Sequence, residues 1–194
     1  MDTKTDIPRS LWPRVVYLVA AGLVAATVAS LTLLKSSFSV GGLWNPQAHN
    51  RRSVDLVPFN GFVDAPIWYG PIVNTLGNLA LFVPVGFLEV LLWRTFTRPD
   101  PSRPAWRRRG VLWATLAGGA LSLGIETAQF VFARGYTDVD DLLLNTLGAT
   151  LGGWAAVRLR AELRRYVLGV FCAGSLVVLV MMAAGAASAG VVGG

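Results

Sequence analysis

Uncharged runs about as long as a bilayer is thick recur along this chain, and they leave little room for any fold other than a bundle of membrane helices. A helix needs roughly 20 mostly apolar residues to cross the hydrocarbon layer. Val15 to Leu34 carries no charge, Ile72 to Trp93 carries Glu89 alone, Gly110 to Ala133 carries Glu126 alone, and Tyr166 to the C-terminus carries none. A further run, Leu142 to Val157, is shorter, and it reaches full length by starting near Asp138 to Asp141, whose carboxylates then lie at headgroup level. Composition agrees with lipid as the solvent. Of 194 residues, 54% are hydrophobic and 14% charged, whereas roughly 25% charged is usual in soluble domains. The expectation is an all-α integral membrane protein of about five transmembrane helices.

The arginines read as topology signals. Arg94, Arg98, Arg103, Arg107, Arg108 and Arg109 lie between the second and third runs, Arg158, Arg160, Arg164 and Arg165 between the fourth and fifth, and Lys4, Arg9 and Arg14 before the first. Five spans with a cytoplasmic N-terminus put all three segments on one side, leaving Lys35, Arg51, Arg52 and Arg134 on the other. The positive-inside rule is then satisfied, and the C-terminus is expected to be extracytoplasmic. The net charge of +6 is therefore not read as a nucleic-acid footprint, which needs a basic face on a soluble fold. The first apolar run is longer than the core of a secretory signal, favouring an uncleaved anchor. Cys172 is the single cysteine, which excludes an internal disulfide and a cysteine-based zinc cluster.

This divides the chain into a cytoplasmic segment with the first span (1–34), an extracytoplasmic loop (35–71), a three-helix core (72–157), and a basic inner loop with the fifth span (158–194). The outer loop mixes turn residues with Trp44, Phe59, Trp68 and Tyr69, a composition suited to the membrane interface. Pro99, Pro101 and Pro104 in the inner stretch from Arg94 to Arg109 predict a non-helical loop that fixes orientation and touches anionic lipid. The last span, rich in glycine and alanine, offers no reactive group.

Polar side chains inside a span need a partner, a water cavity or a function. Ser122, Glu126 and Gln129 follow at steps of four and three, and Asp138, Asp141, Asn145, Gly148 and Gly152 at steps of three, four, three and four; each set lies on one helical face. Asn74 and Asn78 lie one turn apart on the second span. Helical rise places Asn78, Glu126 and Asn145 roughly 9 Å below the outer surface, so the three are expected to converge. Gly118, Gly119, Gly148 and Gly152 on the same faces let the backbones approach closely.

Two arrangements fit. In one, Asn78, Glu126, Gln129 and Asn145 hydrogen-bond one another and Arg134 as a structural clamp. In the other, Glu126 lines a cavity open to the outside, flanked by Asp138, Asp140, Asp141, Arg134 and His49 or Asp55, where a desolvated carboxyl could donate or accept a proton. On that reading the catalytic candidates are Glu126, Asp138 and Asp141, and the binding candidates Asn78, Gln129, Arg134 and Asn145. The acids also offer oxygen ligands for a divalent cation, but Asp138-Val139-Asp140-Asp141 lacks the glycine and terminal glutamate of a calcium loop, so no metal is assigned. No nucleophile signature, phosphate loop or dinucleotide fingerprint is present, no cofactor is called for, and whether the protein is an enzyme stays open.

Four motifs then form a pattern: Asp55-Leu56-Val57-Pro58-Phe59; Asn74 to Gly86, with Asn78 and Pro84; Ser122 to Gln129, with Glu126; and Arg134 to Gly148, with Asp138, Asp141 and Asn145. In this order, across roughly residues 43–157, they resemble the VanZ-like family. The resemblance implies a multi-pass protein of the bacterial cytoplasmic membrane, associated with resistance to teicoplanin-type glycopeptides. Its characteristic polar positions fall on Asn78, Glu126, Gln129, Arg134, Asp138, Asp141 and Asn145. The implied partners are membrane lipids and a lipid-linked envelope intermediate or a glycopeptide, with no nucleic acid. A small proton-coupled transporter and a non-catalytic membrane partner protein remain alternatives.

Overall fold

The computed structural model describes residues 12–33, 53–63, 68–100, 102–132 and 136–192. Five helices run in chain order: α1 (Trp12–Leu33), α2 (Gly70–Thr97), α3 (Ala105–Val131), α4 (Val139–Arg158) and α5 (Ala161–Val192). α1, α2, α3 and α5 are each long and apolar enough to cross a membrane. α4 is the exception. Its 20 residues rise about 30 Å, but Asp140, Asp141 and Arg158 sit at its ends, and it starts at the acids, as the short apolar run required.

Two features depart from the purely helical expectation. Ser53–Asp55 (β1) and Tyr136–Asp138 (β2) pair as a parallel two-stranded ribbon with Asp55 opposite Asp138. A 3-10 turn, Asn60–Phe62, follows β1. The inner loop is also shorter than its prolines suggested: α2 runs on through Arg94 to Thr97, and α3 begins at Ala105 with Arg107 to Arg109 already helical. Pro104 takes the N-cap position, where the missing N–H and fixed φ of proline do no harm. Pro84 lies within α2, so the carbonyl one turn before it loses its helical donor.

α4 is wedged between α2 and α3, while α1 pairs with α5 on one side and with α2 on the other. Small residues permit the wedge. A Cβ added at Gly152 would meet the Val83 carbonyl oxygen at 2.0 Å, one at Gly148 the Leu79 oxygen at 2.3 Å, and one at Gly86 the Ala149 oxygen at 1.8 Å. α2 and α4 therefore touch backbone to backbone over nearly two turns. On the other side, a Cβ at Gly118 of α3 would lie 2.2 Å from that of Ala149. Lipid supplies no hydrophobic drive for helix association, so this intimacy, with its dispersion contacts, holds the bundle. Around it Phe82, Phe87, Val90, Ala114, Ala149 and Ala156 are sealed, and Phe171 of α5 meets Phe87 edge-on with ring centroids 5.4 Å apart.

The contact makes a direct prediction. Gly152→Ala forces α2 and α4 apart and is expected to destabilise by about 1–3 kcal/mol, the usual range for overpacking. Gly77 of α2 has open space where its Cβ would stand, so Gly77→Ala should leave the detergent unfolding midpoint unchanged or slightly higher. Equal midpoints for the two variants would contradict the wedge.

Candidate functional site

The polar residues gather where α4 begins. Asp138 is its N-cap, with extended backbone, and its Oδ1 accepts the N–H of Asp140 at 2.8 Å. Asp140 and Asp141 occupy the first turn, the end of a helix where its dipole favours negative charge. The three neighbouring acids then diverge, because successive helical positions point in different directions. Each carboxylate serves a different element.

Asp140 turns to the outer segment. Both of its oxygens lie 2.9 Å from the Phe59 nitrogen, whose N–H they accept, and it is buried. Asp55 organises the same segment from within, accepting the Val57 N–H at 3.0 Å and the Asn60 amide at 2.6 Å. Phe59 is thereby held with φ 60, a left-handed conformation that non-glycine residues adopt only when their surroundings impose it. Its ring is half-exposed beside that of Phe62, with Leu56, Val57 and Val63 also open. An apolar lip thus lies on the segment that Asp140 and Asp55 hold.

Asp141 turns to α2, where its Oδ1 accepts from the Asn74 amide at 3.0 Å and from the Asn78 amide. One turn deeper, Asn145 donates to the Ser122 hydroxyl of α3 at 3.0 Å. Its own carbonyl oxygen is buried without a partner. Glu126, also buried, accepts the Asp138 N–H at 3.2 Å through Oε2. Gln129 faces α1, donating to the Thr32 carbonyl at 3.0 Å and leaving its buried Oε1 unpaired.

Equal depth therefore does not produce one joint clamp of Asn78, Glu126 and Asn145. The groups form a staggered ladder in which each side chain meets a group about one turn away on the neighbouring helix: Asn78 donates to Asp141, Asn145 donates to Ser122, and the Glu126 carboxylate accepts from the α4 cap. Counting from helix ends missed this because it assigned the three helices a common level. Gln129 leaves the group altogether and ties α3 to α1. Arg134 and His49 lie outside the described residues. Asn74 and Ser122 belong to the ladder as fully as the candidates singled out for a site; their helical spacing was the available signal. The contact of Asp140 with Phe59, 81 positions apart, had none.

Glu126 and Asn145 are each 3% exposed, so they are packed within the protein. Among the described residues no group of three His, Cys, Asp or Glu side chains is placed to hold a metal ion, which follows from the divergence of the acids. Asp138 differs in being half-buried at the rim. Burial raises its carboxyl above the ordinary carboxylate range; the Asp140 N–H pulls it down, and the charges of Asp141, Asp140 and Asp55 add to the rise. Chemically it is a proton donor or acceptor at the edge of the ladder.

A raised folded-state value fixes the sign of the pH effect. Asp138 contributes stability that is complete below the unfolded value of about 3.9 and is lost as pH rises through the higher folded value. Asn caps a helix as well as Asp does, so Asp138→Asn keeps the acceptor and loses the titration. In detergent, the wild-type unfolding midpoint is expected to fall relative to that of the variant as pH rises out of the carboxylate range. Parallel curves would contradict the assignment.

The VanZ/LLP1 family model matches residues 21–160, from within α1 to the turn after α4, which takes in the whole ladder. Among curated proteins, Protein VanZ of Enterococcus faecium is 28% identical over 138 residues, covering 70% of this chain and 71% of that protein. No solved structure matches the chain. With most of its length inside the family's boundaries, and its ladder built from the motifs that first suggested the resemblance, the chain belongs to the VanZ/LLP1 family.

Proposed function

We propose that the protein is a cell-envelope component of the bacterial cytoplasmic membrane that binds or modifies a surface or lipid-linked group, and thereby alters how teicoplanin-type glycopeptides engage the membrane. The arginine-rich ends of α2, α3, α4 and α5 face the cytoplasm on this reading, following the positive-inside rule. The acid and asparagine ladder then faces outward and the C-terminus is extracytoplasmic. One observation carries the proposal: a half-buried carboxyl, Asp138, lies among Asp55, Asp140 and Asp141 close to an exposed lip of Phe59 and Phe62. Apolar surface beside a proton-active acid suits a ligand with a lipid part and a polar part. On this reading Glu126, Asp138 and Asp141 act on the ligand, or hold the groups that do, while Asn78, Gln129, Arg134 and Asn145 bind or position.

A second, structural reading is favoured by the hydrogen bonds themselves. Asp141 is engaged by two α2 amides and Glu126 by the α4 cap, so both acids stiffen the bundle whatever else they do. The protein would then act as a membrane partner without chemistry of its own. A proton-coupled transporter gains less, since Glu89, the acid in the other half of α2, is bonded to Trp113 on the arginine side and continues no path from the ladder.

Glu126→Gln and Asp141→Asn, expressed at wild-type membrane levels, separate the two. An active cluster predicts that both lose far more teicoplanin protection than any fall in their unfolding midpoints accounts for. Protection that survives in both variants, or that declines only in step with the midpoint, would sink the active reading in favour of the structural one.

A further inference from the structure

The arginine-rich end carries a second feature that the ladder does not explain. A groove of about 500 Å³ runs between the first turns of α3 and the last turns of α4. Arg107, Arg108 and Arg158 stand at its mouth, and Val111, Leu112 and Trp154 line its length. Arg158 is steadied over the Trp154 ring, 5.0 Å from its centroid, and Arg107 lies 5.7 Å from that of Trp106. Thr115 also lines it, and its hydroxyl meets that of Thr150 at 2.9 Å and the Val111 carbonyl of its own helix at 3.0 Å. The groove wall therefore makes no polar demand of its own.

Among the described residues none of these three arginines forms an ion pair, although Glu162 stands in the first turn of α5 at the same end. Among the described residues, the ion pair formed at this end is Arg103 with Asp100, Glu89 is occupied by the Trp113 indole, and the first turn of α3 has no acid. Arg107 and Arg108 stand in that turn, at the positive end of the helix dipole, where cations are disfavoured. Arg94 of α2 and Arg164 of α5 add mutual repulsion at the same end. Three cations around an apolar trough, two of them at a helix end that disfavours positive charge, call for an anion with a hydrocarbon tail.

We propose that this groove binds one anionic phospholipid, its phosphate held by Arg107, Arg108 and Arg158 and one acyl chain lying along Val111, Leu112 and Trp154. Arginine suits the task because its planar fork pairs with phosphate oxygens. A free phosphate would satisfy the arginines but leave the trough empty, and the trough lies on two membrane helices. Such a lipid fills the space between α3 and α4 at the end opposite the ladder. It is distinct from the proposed outward-facing site and independent of that reading.

The test is lipid retention. Protein extracted from membranes containing phosphatidylglycerol and phosphatidylcholine is examined by native mass spectrometry, with folding checked by circular dichroism and gel filtration. Wild type should keep one phosphatidylglycerol. Combined Arg107→Gln, Arg108→Gln and Arg158→Gln should lower retention at least about tenfold, given roughly 1 kcal/mol for each arginine near an anionic headgroup. Combined Arg109→Gln, Arg160→Gln and Arg165→Gln removes the same charge outside the groove and should retain the lipid. Leu112→Trp fills the trough from an exposed position without changing charge, and should release it. No retained lipid in wild type, equal loss from the two arginine triples, or retention in Leu112→Trp would each overturn the proposal. So would inorganic phosphate stabilising protein in phosphatidylcholine nanodiscs as much as phosphatidylglycerol does. If the groove triple fails to fold, Leu112→Trp decides alone.

Discussion

The backbone contact between α2 and α4 is the constraint on which the rest depends. Gly86, Gly148 and Gly152 remove the side chains that would keep two helices at ordinary separation, and Gly118 lets α3 close on Ala149 from the other side. Only with α4 drawn in this far can short side chains such as Asn and Ser span between helices. The ladder of Asn74, Asn78, Asp141, Asn145 and Ser122 is thus a consequence of the glycines. It in turn resists sliding, because a shift of one residue would strand the buried amide of Asn145 and the half-buried amides of Asn74 and Asn78 in a medium without water.

A second consequence concerns the outer segment. Since α4 starts with three acids that point in different directions, one of them, Asp140, is free to reach the Phe59 N–H while Asp138 caps the helix and β2 pairs with β1. A strained aromatic turn is held to the start of α4 through these contacts. The acids are structural in their hydrogen bonds, and burial, with the neighbouring acids adding to it, is what raises the Asp138 carboxyl above the ordinary carboxylate range. Structural and chemical roles are not alternatives at that residue.

Much of this was legible before any coordinates. Five helices, the central place of the second to fourth, and the small-residue faces all follow from apolar run length and from spacings of three and four, since those are properties of single helices. What escaped were relations between helices. Axial stagger is set by where the glycines allow closest approach, so Asn78 met Asp141 rather than Asn145. The β1–β2 pairing and the Asp140 contact to Phe59 join segments far apart in the chain, where no periodicity points from one to the other. The inner prolines misled because a proline at a helix start has the opposite meaning from one within a helix, and Pro104 is the former.

The central claim, that glycine-mediated approach holds the ladder in register, is tested most directly by a double-mutant cycle on Asn78 and Asp141. Measured in detergent, Asn78→Ala and Asp141→Ala should show a coupling of about 0.5–2 kcal/mol, in line with polar pairs in membranes and in contact generally. Repeated in a Gly148→Ala background, which pushes α4 away from Leu79, the coupling should fall to near zero. A coupling that persists undiminished in that background would contradict the account.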